Sequence, residues 1–242
     1  MTPKNLENQV ALPKAIRQHM DAIQRKILVM SGKKGVGKTT VIIELAQALA
    51  SMGSATGILD ADLSDPSVAK ILQEETPFPC MEQTNNPRKI SFHLRIADFN
   101  APLEDHARSV VITDLLAYTD WGALDYLFID TPPGVKEEHL AICQNIPELT
   151  GAIIVATGQA SSILDTIRSV VFCRKMGIAI LGLIENMGAQ KGAYIARKTE
   201  IPFLGSLPLK EGGHEGIKID QTVSTIAQKL EESMTCSSVS ER

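Results

Sequence analysis

The chain has 242 residues, 44% hydrophobic and 21% charged, enough for one sizeable α/β domain and too few for two large ones. Its 24 basic and 28 acidic side chains leave a formal net charge of −4, which excludes the global basic character that would make nucleic acid or an acidic membrane surface the main partner. The polar start MTPKNLENQVALPKAIRQHM lacks an apolar signal core, no apolar run approaches the ~20 residues that span a bilayer, and Cys80, Cys143, Cys173 and Cys236 form no C-x-C or C-x-x-C pair. Free thiols in a reducing, cytoplasmic setting are therefore expected.

In chain order, residues 1–25 read as an N-terminal extension, 26–234 as the folded domain and 235–242 as a polar, flexible tail. Ile27, Leu28, Val29 and Met30 form a short buried strand, and Val41, Ile42, Leu45, Ala46 and Leu49 recur at helical spacing. Between them lies SGKKGVGKTT, in which Gly32, Gly37, Lys38 and Thr39 fit G-x-x-x-x-G-K-[ST] in the strand-loop-helix context that gives the pattern meaning. Glycines let such a loop curl until its backbone N–H groups converge at the positive end of the following helix, a cradle for a polyphosphate. Lys38 is expected to neutralise β and γ phosphates, and the Thr39 hydroxyl to hold a magnesium ion bridging them.

TGILDAD, LDYLFID, GAIIVAT, IAILGLIEN and, more weakly, IPFLGSLP follow as strands. Helical patterns lie at about 65–72, 103–119, 136–144, 161–176, 191–198 and 221–234. The alternation predicts an α/β fold with a mainly parallel sheet covered by helices on both faces, and ligands at the carboxyl ends of its strands. Residues 74–100, with three prolines and QTNNPRK, read as irregular with one short hairpin, a mobile or partner-facing segment.

Three acids stand at strand ends. Asp130 follows YLFI, the place of an acid that orients magnesium through its waters, and Gly134 in DTPPG is placed to bring a backbone N–H to the γ-phosphate, where the segment senses ATP against ADP. Asp60 and Asp62 in DAD point to opposite sides while the chain stays extended, so they are expected to differ in role; a turn or cap is the alternative for each.

SGKKGVGKTT resembles the deviant phosphate loop (deviant Walker A) of the MinD/ParA superfamily of P-loop ATPases, with Lys33 as its signature lysine. ILDADLSDPSV, DWGALDYLFIDTPPG, EEHLAI, LGLIENM and IPFLGSLPL, in the right order over about 27–209, look like the Mrp/ApbC branch that includes cytosolic iron–sulfur scaffold ATPases. The resemblance implies slow, partner-dependent ATP hydrolysis by a dimer that sandwiches two nucleotides, Lys33 reaching across to the other subunit's phosphates. It implies that Asp62 orients the attacking water and that Asp60 helps hold magnesium through water. Asn186 would hydrogen-bond adenine, the backbone around Pro208 would close the base pocket, and Gly32, Lys33, Gly35, Val36, Gly37, Lys38, Thr39 and Thr40 would surround the phosphates. NMGA stands where N-K-x-D would specify guanine, so ATP is favoured over GTP.

The departures are specific. Lys34 replaces a customary glycine, with its side chain expected in solvent, and Glu44 replaces a common asparagine. ENMGAQKGAYIARKTEIPFLG lacks the C-x-x-C pair that iron–sulfur carriers of this branch place after ENM, so a cluster held by this chain is doubtful. Cys143 and Cys173 read as buried apolar residues, and the five histidines show no ligand spacing. Three functions stay open. One is a dimeric ATPase switch serving iron–sulfur or other metallocofactor assembly, as a homodimer or with a cysteine-bearing relative, acting on a client metalloprotein. The others are a MinD/ParA-like spatial organiser and a regulatory adaptor with no metal role. The C-terminal QTVSTIAQKLEESMTCSSVSER is not the basic amphipathic helix a membrane-bound organiser needs.

Overall fold

Strand β1 (Ile23–Met30) lies inside a seven-stranded parallel sheet, between β4 (Leu124–Asp130) and β5 (Gly151–Thr157). The computed structural model describes residues 14–68, 71, 92–95, 105–159, 162–188, 190–208 and 216–237. With β2 (Thr56–Asp60), β3 (Phe92–Arg95), β6 (Ile180–Asn186) and β7 (Phe203–Ser206), the sheet order is β3-β2-β4-β1-β5-β6-β7. The described part of α1 spans 14–21. The other helices are α2 (Lys38–Ser51), α3 (Asp105–Tyr118), α4 (Glu137–Asn145), α5 (Ser162–Lys175), α6 (Gly192–Thr199) and α7 (Gly216–Ser237).

Because successive strand residues face opposite sides, β1 divides its apolar run between two cores. Ile27 and Val29 pack with Val41, Leu45 and Leu49 of α2 and with Val223, Ile226 and Leu230 of α7. Leu28 and Met30 pack on the other face with Ile112, Leu116, Trp121, Ile142 and Cys173. In α7 the three residues fall at i, i+3 and i+7, a stripe whose full burial contributes about 2 kcal/mol per side chain. Tyr126 pins that helix to the sheet: its hydroxyl donates to Glu231 at 2.9 Å.

Three sequence expectations change. Residues 14–25 are not an extension outside the domain. Ile16, Met20 and Ile23 are buried in the second core, and Lys26, itself 4% exposed, donates from Nζ to the carbonyls of Met20 at 3.2 Å and Ile23 at 3.4 Å. A lysine thus satisfies the orphan carbonyl at the end of α1 and lets strand β1 begin at Ile23, four residues before the apolar run. The hairpin expected within 74–100 is not what the described part forms: β3 pairs parallel with β2 at the sheet edge, Ile58 opposite Leu94. A parallel neighbour needs a long crossover, which the connection after Asp60 supplies. The expected tail 235–242 begins too early, because α7 continues through Ser237; residues 238–242 and the rest of the 74–100 stretch, with Cys80, lie outside the described residues.

Candidate active site

The loop after β1 sits between the carboxyl ends of β4 and β5, beside the end of β2 two strands away. Asp60 and Asp130 are register partners on β2 and β4, and Val29 is level with Asp130 on β1. The topology therefore brings two strand-end acids and the loop to one rim of the sheet.

Lys38 is buried, and its Nζ pairs with Oδ1 of Asp130, which is 0% exposed. The other Asp130 oxygen accepts from the Thr39 hydroxyl at 2.6 Å, and Thr39 Oγ1 lies 2.8 Å from Ser67 Oγ. Burial pulls the Lys38 ammonium down to about 8, against the carboxylates of Asp62 and Asp60, which favour its charged form. At neutral pH it remains charged.

Asp60 is spent on backbone. Its Oδ1 accepts the N–H of Asp62 at 3.1 Å, and its Oδ2 accepts those of Ser67 at 2.9 Å and Val68 at 3.1 Å, capping the turn that carries Ser67 to Thr39. Burial pushes its carboxyl up from the ordinary aspartate value, and these N–H groups oppose the shift. The chain turns at once after Asp60, so Asp60 and Asp62 do not diverge as two residues of an extended strand would. Both end at the phosphate side, but only Asp62 keeps an uncommitted oxygen: its Oδ1 is buried with no hydrogen-bond partner. Asp62, Ser67, Pro133, Lys38 and Thr39 line a cavity of about 250 Å³ at the loop.

Loop geometry explains two glycines. Gly37 has φ +75°, and a Cβ there would lie 2.2 Å from Asn186 Nδ2. A Cβ on Gly32 would lie 2.2 Å from that of Asp165 at the start of α5. Asn186 donates from Nδ2 to the Val36 carbonyl at 2.9 Å, so in this structure it braces the phosphate loop. Pro208 borders the same region: Gly188 donates its N–H to the Leu207 carbonyl at 3.0 Å. Glu185, which the sequence did not single out, holds that corner by accepting the Lys191 N–H at 2.9 Å and the Ser206 hydroxyl at 2.7 Å. Its signal was an acid inside an otherwise apolar strand.

The expectation for Gly134 changes. Its φ is +76°, yet its N–H is directed at the Ser31 carbonyl, 2.8 Å away, tying the DTPPG turn to the phosphate loop and leaving no N–H for a γ-phosphate in this conformation. Lys33, Gly35, Val36 and Thr40 lie on the cavity lining with Lys34. Lys33 is exposed and reaches Gln159 Oε1 at 3.4 Å. Lys34 is 76% exposed and pairs with Asp65 at 2.9 Å, so its side chain stands in solvent and bridges the phosphate loop to the loop after β2. At that exposure the pair contributes little stability.

His139 is buried beneath this rim, its edge against Phe172, with Nδ1 accepting the Lys136 N–H at 3.2 Å and Nε2 unpartnered. Burial first, then the Lys38 and Lys136 charges, lower its pKa to about 4. A histidine that folds neutral leaves stability intact above its unfolded value near 6.5, and stability is lost as pH falls from there through about 4. We expect about 3 kcal/mol of acid destabilisation in that window, an upper figure from the shift to about 4. Denaturant titrations from pH 7 to 4 should show it for the wild type and a flatter profile for His139→Phe.

The family scan matches residues 22–241 to the ParA model, described as NUBPL iron-transfer P-loop NTPase. The chain belongs to that family. Within it, the protein is 36% identical to an iron–sulfur cluster carrier protein of Methanocaldococcus jannaschii, covering 84% of this chain and 80% of that one. It is 33% identical to the human cytosolic Fe-S cluster assembly factor NUBP2, covering 88% of this chain and 94% of that one. Among solved structures, the nucleotide-binding protein of Archaeoglobus fulgidus in complex with ADP superposes with a TM-score of 0.65 at 27% identity, covering 88% of this chain and 92% of that one. The cell division ATPase MinD of Pyrococcus furiosus gives 0.61 at 20% identity over 86% and 98%, a likeness of fold.

Proposed function

We infer that this ParA-family NTPase binds ATP with magnesium and hydrolyses it slowly, as a dimeric switch in iron–sulfur or other metallocofactor assembly. The observation that carries the chemistry is the contrast at the loop: Lys38, Thr39 and Asp130 are locked together, while Asp62, alone among the described carboxylates, presents a buried oxygen with no partner. A buried acceptor left unpaired is costly, and an attacking water held by Asp62 would satisfy it. The oxygen donors at this rim fit a hard cation: Thr39 by its hydroxyl, and Asp130 and Asp60 through water. When bound, magnesium would supply neutralisation of β- and γ-phosphate charge. Lys38 adds its own positive charge, and the loop from Gly32 to Thr40 adds its N–H groups. Asn186 and Pro208 sit where the base pocket is proposed; contact with adenine asks Asn186 to use its second N–H or its carbonyl, since one N–H holds Val36.

The assembly role rests on the relatives, whose names are those of iron–sulfur carriers and cytosolic assembly factors. The same kinship supports a cytoplasmic site of action. Lys33 supports the dimer: it is exposed at the mouth of the cavity, and its contact with Gln159, at 3.4 Å, is a long surface hydrogen bond that a second subunit's phosphates could replace. Lys33→Ala should keep ATP affinity while ATP-driven dimerisation is lost and turnover falls on the order of 1,000-fold, the lower part of the range for an arginine finger. Light scattering and a phosphate-release assay measure both. Normal dimerisation and turnover in that variant would remove Lys33 from the interface.

A bridging cluster usually takes four thiolates. Cys143 and Cys173 share the second core, and burial pushes their thiols up to about 11 and about 12, the wrong direction for metal ligands. Among the described residues no group of three or more His, Cys, Asp or Glu is placed to hold a metal. We therefore expect that the protein reconstituted anaerobically with iron and sulfide keeps no stoichiometric cluster alone, and that a cysteine-bearing relative supplies the thiolates in a mixed dimer or the client takes the metal directly. Iron and acid-labile sulfide per dimer decide this; a stable cluster abolished by Cys→Ala changes would make the chain itself the carrier.

A further inference from the structure

Two walls flank the end of the cavity where the γ-phosphate is proposed to sit. One is the loop 61–68, which carries Asp62 and reaches Thr39 through Ser67. The other is the 131–136 turn, which contributes Pro133 and is tied to the phosphate loop by the Gly134 N–H. Arg108, on α3, stands behind both. Its Nη1 donates to the hydroxyl of Ser64 in the first wall and, at 2.9 Å, to Oε1 of Glu138 at the start of α4, immediately after the second. Glu138 is 1% exposed and Arg108 20%, so this pair is shielded from solvent, unlike Lys34 and Asp65 at the mouth.

We propose that Arg108 is a positioning residue that couples the two walls, so that the turn after Asp130 sets where Asp62 stands. The inference rests on the ATPase reading above, although the brace itself is visible without nucleotide. One guanidinium nitrogen serves both acceptors, so a shift of α4 carrying Glu138 drags Arg108 and with it Ser64, two residues beyond Asp62. A buried charge pair holds its geometry because separating it strands a carboxylate. The coupling thus passes through one element that both walls bias, the physical requirement for communication between two loops. Neither Arg108 nor Glu138 touches the cavity, so neither is a catalytic residue.

The test uses the full chain with the double variant Arg108→Met/Glu138→Gln, which removes both charges together and strands neither, and with Ser64→Ala, which leaves the buried pair intact. MgATP affinity is expected to stay within about threefold, while single-turnover hydrolysis slows between about 10- and 100-fold, the cost of a misplaced positioning group. Ser64→Ala should move in the same direction by less, and it decides alone if the double variant does not fold. Amide exchange gives the second readout. MgATP should protect 61–68 and 131–139 together in the wild type, and 131–139 without 61–68 in the variants. Wild-type hydrolysis with joint protection, or a change in melting temperature alone, overturns the proposal. If the wild type binds no ATP, the ATPase reading fails separately. Exchange without nucleotide then decides the brace: faster exchange at 61–68 in the variants supports it, and unchanged exchange overturns it.

Discussion

Lys38→Ala is expected to abolish nucleotide binding and, independently, to destabilise the nucleotide-free fold. The first effect follows from the proposed role of Lys38, a buried cation set to neutralise the β and γ phosphates. The second follows from what Lys38 does without nucleotide. It is the ion-pair partner of Asp130, which is 0% exposed and otherwise holds only the Thr39 hydroxyl at 2.6 Å. Removing one member of a buried pair costs about 3–5 kcal/mol, because the surviving charge is stranded. The two effects separate in the double variant Lys38→Ala/Asp130→Asn, where the stranded charge is gone: stability should return and ATP binding should not. Equilibrium titration with ATP and urea unfolding measure the two sides. Wild-type affinity in Lys38→Ala would overturn the phosphate-loop assignment. Full stability in that variant would show that Asp130 finds another partner.

The rim of this site was legible in the sequence because its chemistry is concentrated in short motifs at strand ends. Lys38, Thr39 and Asp130 stand together at the carboxyl ends of β1 and β4, where their motifs put them, although the direct bonds from Lys38 and Thr39 to Asp130 were not among the expectations. The roles of Asp60, Gly134 and Asn186 were less legible, because each depends on which backbone group lies opposite. Asp60 caps the turn at Ser67 and Val68, Gly134 answers Ser31, and Asn186 holds Val36, contacts made by residues up to 150 positions apart. Sequence spacing carries no information about such pairings. The same holds for the N-terminus: Ile16, Met20 and Ile23 do fall at helical spacing, but in so polar a stretch the pattern gains force only with Lys26 closing the helix end. Arg108 stood in no motif, and Glu138 only within EEHLAI, which names no partner for it; their pairing emerges when α3 and α4 are packed together.

Asp62→Asn separates the site's reactivity from its stability: the first should fall while the second stays close to that of the wild type. The Asp62 backbone N–H donates to Asp60 Oδ1 at 3.1 Å, a contact that does not involve the side chain, so the loop keeps its turn in the variant. The side chain contributes a buried oxygen with no partner. Replacing the carboxylate by an amide of the same shape relieves a poorly solvated charge but gives up its attraction to the Lys38 ammonium and keeps a polar atom at the same place, so stability in urea unfolding should stay within about 1 kcal/mol of the wild type. Hydrolysis should fall on the order of 100-fold in a single turnover, since the amide orients a water less firmly than the carboxylate. Binding of MgATP near neutral pH should survive, because the proposed grip on the phosphates comes from the loop and Lys38. A pH series adds an independent check. The Asp62 charge helps keep Lys38 protonated against the burial that lowers it to about 8. Without that charge Lys38 loses its proton at a lower pH, so ATP affinity in Asp62→Asn should begin to decline at a lower pH than in the wild type. Unchanged single-turnover hydrolysis would remove Asp62 from the mechanism. An unshifted affinity profile would show instead that its carboxylate lies too far from Lys38 to matter.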